Sequence, residues 1–362
     1  MVNEDYSWNL KPHTKAKHAI LKTYLDAWFP IISKNETKIA YIDGFAGRGK
    51  YDDGEDGSPI IAIKAARDHV LSKYFKDLKF FFVELDEQNY ESLCKNVKDL
   101  GELPKFISTP MIEKGDFNKV IEQMLGEIDE DKHSLIPTFA FIDPYGYLDI
   151  RLDLLAKILK NRKCELLITY VVGFLDRFSY DIKHCGGICE ILGINQETLD
   201  ELKTHPKEER ERKWLSLLKN KLSELTGKEI YNLSFAMRGD KNTTLYYLTF
   251  FTKSIDGIKQ MKESMWKISK QYIYSDYNFN QKLLLDYQQD WVRQAADCIY
   301  EKYRGTSVKQ HELINWATLN TPFIWRQSIL KQLEKENRFE YVGNRKRAFT
   351  YSDENATLNF KG

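Results

Sequence analysis

The 362-residue chain has little of what assigns a protein to a class at first sight. No apolar run reaches the roughly 18 residues that a membrane-spanning helix needs. The opening stretch, MVNEDYSWNLKPHTKAKH, has no apolar core of the signal-peptide type. The expectation is a cytoplasmic protein with no membrane association. Cysteine is scarce: Cys94, Cys164, Cys185, Cys189 and Cys298 are odd in number and scattered, which argues against a disulfide framework and for reduced thiols. Net charge is missing too. With 54 Lys plus Arg against 53 Asp plus Glu, global electrostatics names no partner, and any argument from charge has to be local. There is no internal repeat, no low-complexity tract and no Walker-type GK[ST].

What is present is length and an alternating pattern. A chain this long exceeds one ordinary core, so one large and one small domain are expected. Residues 14–33 place Ile20, Leu21, Tyr24, Leu25 and Trp28 at helical spacing. Short apolar runs follow at TKIAYIDGF, LKFFFVELD, TFAFIDPYG and CELLITYVV, each bounded by turn residues or acids and separated by helical segments. Ser58-Pro59 reads as an N-cap followed by a first-turn proline. Strands alternating with helices imply a parallel, doubly wound α/β sheet. Residues 174–228 read as a helical insertion ahead of the strand TLYYLTFFTK, which leads into a helix carrying Ile258, Met261, Met265 and Ile268 on one face. The larger domain is therefore placed at 1–287. From 288 to 362, three helical segments precede RFEYVGNRKRAFTY, read as two short strands around a GNRKR turn, the pattern of a winged helix-turn-helix module. Residues 301–350 carry 10 Lys plus Arg and 5 Asp plus Glu, the one local basic excess.

The chemistry should lie where strands end. Asp43-Gly44-Phe45-Ala46-Gly47-Arg48-Gly49 after the first strand is a loop that lets backbone approach a ligand, and by itself it suits dinucleotides, nucleotides or S-adenosylmethionine equally. The next loop, DDGEDG at 52–57, holds four acids, which would repel a pyrophosphate but not a sulfonium. Glu84, with Asp86 two residues on, ends the second strand where an acid can hold ribose hydroxyls. Asp116 stands in a turn after a third strand, within reach of an adenine amino group. Asp143-Pro144-Tyr145-Gly146 ends the fourth. Each acid could instead cap the next helix.

YIDGFAGRGKY…GSP, FVELD, FIDPYG and YYLTFFTKSIDGIKQMKESMWKIS, with HTKAKHAILKTYLDAW ahead of them, resemble a class I S-adenosylmethionine-dependent methyltransferase and, more narrowly, the three-Cys-motif partner protein (TcmP) family. The resemblance spans most of the chain. It implies a Rossmann-like methyltransferase fold, S-adenosylmethionine as cofactor, and a companion protein that bears the three-Cys motif. The cysteines here are not that motif. By position it makes Asp43, Gly44, Phe45, Gly47 and Gly49 the cofactor loop, Glu84 the ribose ligand, Asp116 the adenine contact, and Asp143 with Tyr145 the groups beside the transferred methyl. Nucleic-acid amino-methyltransferases use a related Asp/Asn-Pro-Pro-aromatic turn. Here the second proline is missing and the aromatic arrives one position early.

Two functional readings follow: a methyltransferase acting on DNA or RNA, and a non-catalytic, cofactor-sensing regulator of the three-Cys-motif partner. A nucleotide-binding oxidoreductase is a third, which the acidic loop disfavours. Arg326, Lys331, Arg345, Lys346 and Arg347 could neutralise phosphates, or merely solvate a small domain. Trp316 and Trp325 read as core anchors. His184, Cys185 and Cys189 in HCGGIC lack a second clustered pair, so no metal is assigned to them.

Overall fold

The computed structural model describes residues 10–130, 134–144, 150–275, 291–345 and 347–362. Tyr145 and Lys346 lie outside the described residues. The chain divides into two compact units, one of residues 1–254 with 272–281 and one of residues 255–271 with 282–362. The helix carrying Ile258, Met261 and Met265 belongs to the second unit.

The first unit is built on a mixed α/β plan compatible with a Rossmann-like fold. Its strands are β1 (Lys38–Asp43), β2 (Asp77–Glu84), β3 (Met111–Lys114), β4 (Thr138–Ile142), β5 (Glu165–Tyr170), β6 (Tyr231–Arg238), β7 (Thr244–Thr252) and β8 (Ile273–Ser275), in the spatial order β3-β2-β1-β4-β5-β7-β6-β8. The sheet is parallel except at β7, which runs antiparallel to both β5 and β6. The central strands β1, β4 and β5 are apolar along nearly their whole length because both faces are covered. Helix α1 (Pro12–Ser33) buries Ile20, Leu21, Tyr24, Leu25 and Trp28, the face its spacing predicts. Tyr24 meets Phe139 and Phe250 at ring distances of 5.2 and 5.1 Å, and its hydroxyl donates to the buried Glu165 at 2.7 Å. The other face is covered by α4 (Phe117–Glu130), α5 (Leu152–Lys160) and α9 (Lys207–Thr226), through Ile121, Leu155, Ile158 and Leu222 among others.

Helices α2 (Ser58–Arg67) and α3 (Glu87–Lys98) follow β1 and β2. Gly57, not Ser58, is the N-cap of α2, and its cap carries no side-chain hydrogen bond. Ser58 enters the first turn and its hydroxyl turns toward Asp43. The 174–228 insertion is helical, as its pattern implies: α6 (Val172–Phe178), α7 (Ile182–Leu192), α8 (Gln196–Lys203) and α9 enclose a core of Leu175, Ile188, Leu199 and Trp214.

The second unit holds α10 (Ile255–Trp266), α11 (Trp291–Tyr303), α12 (Gln310–Asn320) and α13 (Gln327–Lys335). Its three-stranded antiparallel sheet has the order β10 (Phe339–Val342), β11 (Thr357–Phe360), β9 (Ser307–Lys309). The strand expected at AFTY is displaced. Phe339 pairs with Phe360 and Val342 with Thr357, so the connection runs over residues 343–356. Leu358 and Phe360 fill the core beside Ile329 and Leu333; in AFTY, Phe349 is exposed with φ of +59°, off the extended backbone, and Tyr351 enters the same core without a strand. Trp316 and Trp325 pack against this core as anchors.

Candidate functional site

Parallel sheets of this kind bind ligands beyond the carboxyl ends of their strands, at the point where the order reverses. That point lies between β1 and β4, and a cleft of about 510 Å³ opens there. Its wall includes the loop from Phe45 to Tyr51, Asp143 and Pro144 after β4, and Thr169 and Val171 around the end of β5.

The glycines of the loop are required by conformation. Gly47 and Gly49 have φ of +63° and +78°, where a β-carbon is strained, and a β-carbon on Gly44 would stand 2.6 Å from the Phe117 ring. Phe45, which lines the cleft, is held by the same ring, with centroids 5.2 Å apart.

Asp43 is fully buried beneath the loop. Burial pushes its carboxyl up to about 7, the Asp143 charge adds to this, and hydrogen bonds from Ser58, the Phe45 amide and the Tyr41 hydroxyl act the other way. Glu84 is also buried, and both its oxygens are engaged by backbone: Oε2 accepts from Gly47 N at 2.7 Å and Oε1 from Asp86 N at 2.9 Å. It braces the glycine loop from below, and neither Asp43 nor Glu84 is on the cleft wall. Asp116 caps α4 by accepting from the Lys119 amide at 3.1 Å, the structural alternative for that acid. Asp86 caps α3 through Asn89 N at 2.9 Å.

Asp143 does reach the cleft, where it forms an ion pair with Lys17. Burial pushes the Asp143 carboxyl up, but the Lys17 ammonium in contact with it more than offsets this and holds it below the usual carboxylate range. Lys17 itself is 5% exposed and lies 5.4 Å from the centroid of the Tyr246 ring. His18, beside it on α1, is 6% exposed with Nδ1 buried and without a hydrogen-bond partner. Burial first, then the Lys17 charge, lowers its imidazole to about 3, so the ring is neutral. The sequence reading passed over both residues. The signal was there: positions 17, 21, 24 and 28 form one stripe, and a lysine on an otherwise apolar stripe calls for a buried partner.

The acidic loop does not face the cleft as a row of unpaired charges, which corrects the expectation that it repels phosphate. Asp52 lies 3.8 Å from Arg48, Asp53 accepts from Leu10 N at 3.3 Å, Glu55 pairs with Lys15 at 2.9 Å, and Asp56 with Lys64 at 2.6 Å. The Gly57 amide donates to the Gly49 carbonyl at 2.7 Å, closing residues 49–57 into a strap tied to α1 and α2. Among the described residues the cleft wall instead carries Lys11, Lys17, Arg48 and Lys50, with Asp143 as its one carboxylate.

In the second unit, Arg326 is held by both oxygens of Glu263, and Arg345 pairs with Glu334 at 2.7 Å while lying 4.8 Å from the Tyr341 ring centroid. Lys331 and Arg347 are exposed. Cys185 donates to the Ser179 carbonyl at 2.9 Å and His184 contacts Asp181 at 2.9 Å. Among the described residues no group of three or more His, Cys, Asp or Glu is placed to hold a metal ion, and no helix is long and apolar enough to cross a membrane.

No protein-family model matches the chain, and no curated protein matches it either. Among solved structures it is similar to the protein LPL1258 of Legionella pneumophila strain Philadelphia 1 (family model DUF519), at 14% identity and a TM-score of 0.38 over 68% of this chain and 86% of that one.

Proposed function

We propose that the protein is an S-adenosylmethionine-dependent methyltransferase of the three-Cys-motif partner type, acting on a nucleic acid together with a partner that bears the three-Cys motif. The observation that carries this reading is the convergence of the glycine loop and the Asp143-Pro144 turn on one cleft at the β1/β4 reversal. The mostly parallel sheet, reversed only at β7, is compatible with the Rossmann-like fold that this reading expects.

The cleft fits the cofactor in size, because sites for small ligands run from about 300 to 1,000 Å³. Phe45, Gly47 and Gly49 would hold it along the loop, with Asp43 and Glu84 fixing the loop from beneath. When bound, the cofactor supplies an electrophilic methyl group. The chain's own contribution is to bind and orient an acceptor at the Asp143 end of the cleft. Lys11 and Lys50 on the wall, beyond Lys17 and Arg48, which pair with Asp143 and Asp52, favour an acceptor that carries phosphate. The three helices α11–α13 and the antiparallel sheet of the second unit support its reading as a winged helix-turn-helix that recruits the target or the partner.

Calorimetric titration of S-adenosylmethionine and S-adenosylhomocysteine into the wild type, Asp43→Ala and Glu84→Ala tests the cofactor site. Binding that both substitutions weaken is expected. No binding to any form, with or without the three-Cys-motif partner, would sink the proposal.

One observation favours the cofactor-sensing alternative: Lys17 already occupies the Asp143 carboxylate and makes it a weak base. Asp143→Ala separates the two readings. An enzyme loses labelled-methyl transfer while keeping cofactor affinity, whereas a regulator has no turnover to lose.

A further inference from the structure

Buried polar atoms almost always find a hydrogen-bond partner, and one that lacks it carries a desolvation penalty. His18 Nδ1 is such an atom, on a residue that lines the cleft. Its surroundings are specific. Lys17 and Asp143 form their ion pair beside it, and the Tyr51 ring lies 5.9 Å from the imidazole centroid. All of these residues border the same cleft as Pro144 and the glycine loop.

Asp143 is the residue that the strand-end argument places against the acceptor, yet its negative charge is already matched by Lys17. The neutral imidazole next to it keeps hydrogen-bonding capacity at Nδ1 that no described residue uses. In a neutral ring one nitrogen offers a lone pair and the other an N–H, and the bound group selects the tautomer. A methyl acceptor arrives with an N–H or O–H, so a lone pair is what it would meet.

We infer that His18 is the hydrogen-bond acceptor that positions the methyl acceptor's N–H or O–H at the Asp143 end of the cleft, with the Lys17–Asp143 pair as the frame that holds the imidazole there. The inference rests on the methyltransferase reading of the cleft and adds a residue that no strand-end argument supplies. It also divides the labour at the site: Asp143 orders Lys17 and the helix, and His18 touches the substrate.

The test needs no identified acceptor. Sinefungin is an analogue of S-adenosylmethionine that carries an amine in place of the methyl, so its N–H groups point where the acceptor would lie. S-adenosylhomocysteine has no such group. Calorimetry on the full chain should give wild-type affinity for sinefungin roughly tenfold above that for S-adenosylhomocysteine, about what one hydrogen bond to a charged donor supplies. His18→Phe should bring that ratio to about one and leave S-adenosylhomocysteine binding unchanged. His18→Asn, which restores an acceptor, should recover part of the preference. Because the Nδ1 atom is buried without a partner, His18→Phe should unfold at or above the wild-type temperature, a result a purely structural histidine could share; the ratio is what distinguishes them.

A preference that survives His18→Phe and disappears in Asp143→Asn would overturn the inference while leaving the methyltransferase reading intact. Failure of either compound to bind any variant would remove that reading, and this inference with it. If His18→Phe does not fold, the ratios in His18→Asn and His18→Leu decide, with Asn expected to retain the preference and Leu to lose it.

Discussion

At the carboxyl edge of the first unit's sheet, Lys17, His18, Asp43 and Glu84 are between 0% and 6% exposed. On the second unit, of the arginines that sequence reasoning sends to a nucleic acid, Arg326 stands exposed against Glu263 and Arg345 lies half-buried against Glu334. Both regions are rich in charge, but charge does different work in each. A buried ionisable group carries a desolvation penalty of several kcal/mol that only close partners or a ligand offset. An exposed pair gains little and is retained at little expense. Lys17 and His18 on the cleft wall, with Asp43 and Glu84 beneath the glycine loop, therefore place desolvated ionisable groups where a ligand could offset their penalty.

Asp43→Asn tests that contrast with the largest expected effect. The folded-state value of Asp43 is raised to about 7 from an ordinary 3.8. A raised group favours the folded state fully below its unfolded value, and that contribution is lost as pH rises through the folded value. The wild type should therefore lose up to about 4 kcal/mol between pH 4 and pH 7 from this residue, with no further loss from it above that window. Asp43→Asn should flatten this part of the profile, so urea denaturation at pH 8 should find the variant more stable, while the proposed binding of S-adenosylmethionine should weaken. Equal pH slopes in the two proteins would show that Asp43 is ionised throughout and that its burial is fully compensated.

Lys17→Met should have the next largest effect. Removing one member of a buried pair leaves the other charge uncompensated, at a typical loss of about 3 kcal/mol. The loss should fall short of that figure to the extent that Asp143, only partly buried, is solvated. Lys17→Met combined with Asp143→Asn should recover much of it, because the second substitution removes the orphaned charge. Losses that simply add would mean that the two side chains act independently.

How much of this was legible in the sequence follows from which interactions are local. The apolar stripe of α1, the strands ending at Asp43, Glu84 and Ile142, and the helical insertion are repeated patterns in one stretch of chain, and they could be read there. The glycine loop was legible for the same reason. The ion pair between Lys17 and Asp143 joins positions 126 residues apart, so no spacing rule could disclose it, although a lysine on an apolar stripe posed the question. The acidic loop misled because composition gives charge without its partners: Lys15 and Lys64 lie on two different helices, and only folding brings them to Glu55 and Asp56. Residues 343–356 misled in another way. β-like residues at AFTY follow a turn signal, yet Phe349 takes a φ of +59° that breaks the extended backbone, and the pairing goes to Thr357–Phe360 while Tyr351 enters the core without a strand.

The smallest expected effect sharpens the comparison most. Arg326 and Glu263 make a two-pronged contact, with Arg326 Nη2 donating to Glu263 Oε2 at 2.6 Å, and geometry alone would rank it beside the Lys17–Asp143 pair. Exposure separates them: the Arg326 side chain is 47% exposed and that of Lys17 is 7%. Water and salt screen the first pair, so a double-mutant cycle through Arg326→Ala and Glu263→Ala should give a coupling of at most about 1 kcal/mol. That coupling should shrink further in 1 M salt, where the screening length falls to about 3 Å. The same cycle on Lys17 and Asp143 should give a larger coupling that persists in salt. If instead the two couplings were equal and equally salt-sensitive, the Lys17–Asp143 pair would be open to solvent. The imidazole beside it would then be hydrated, and the structural reason for assigning His18 a ligand would be gone.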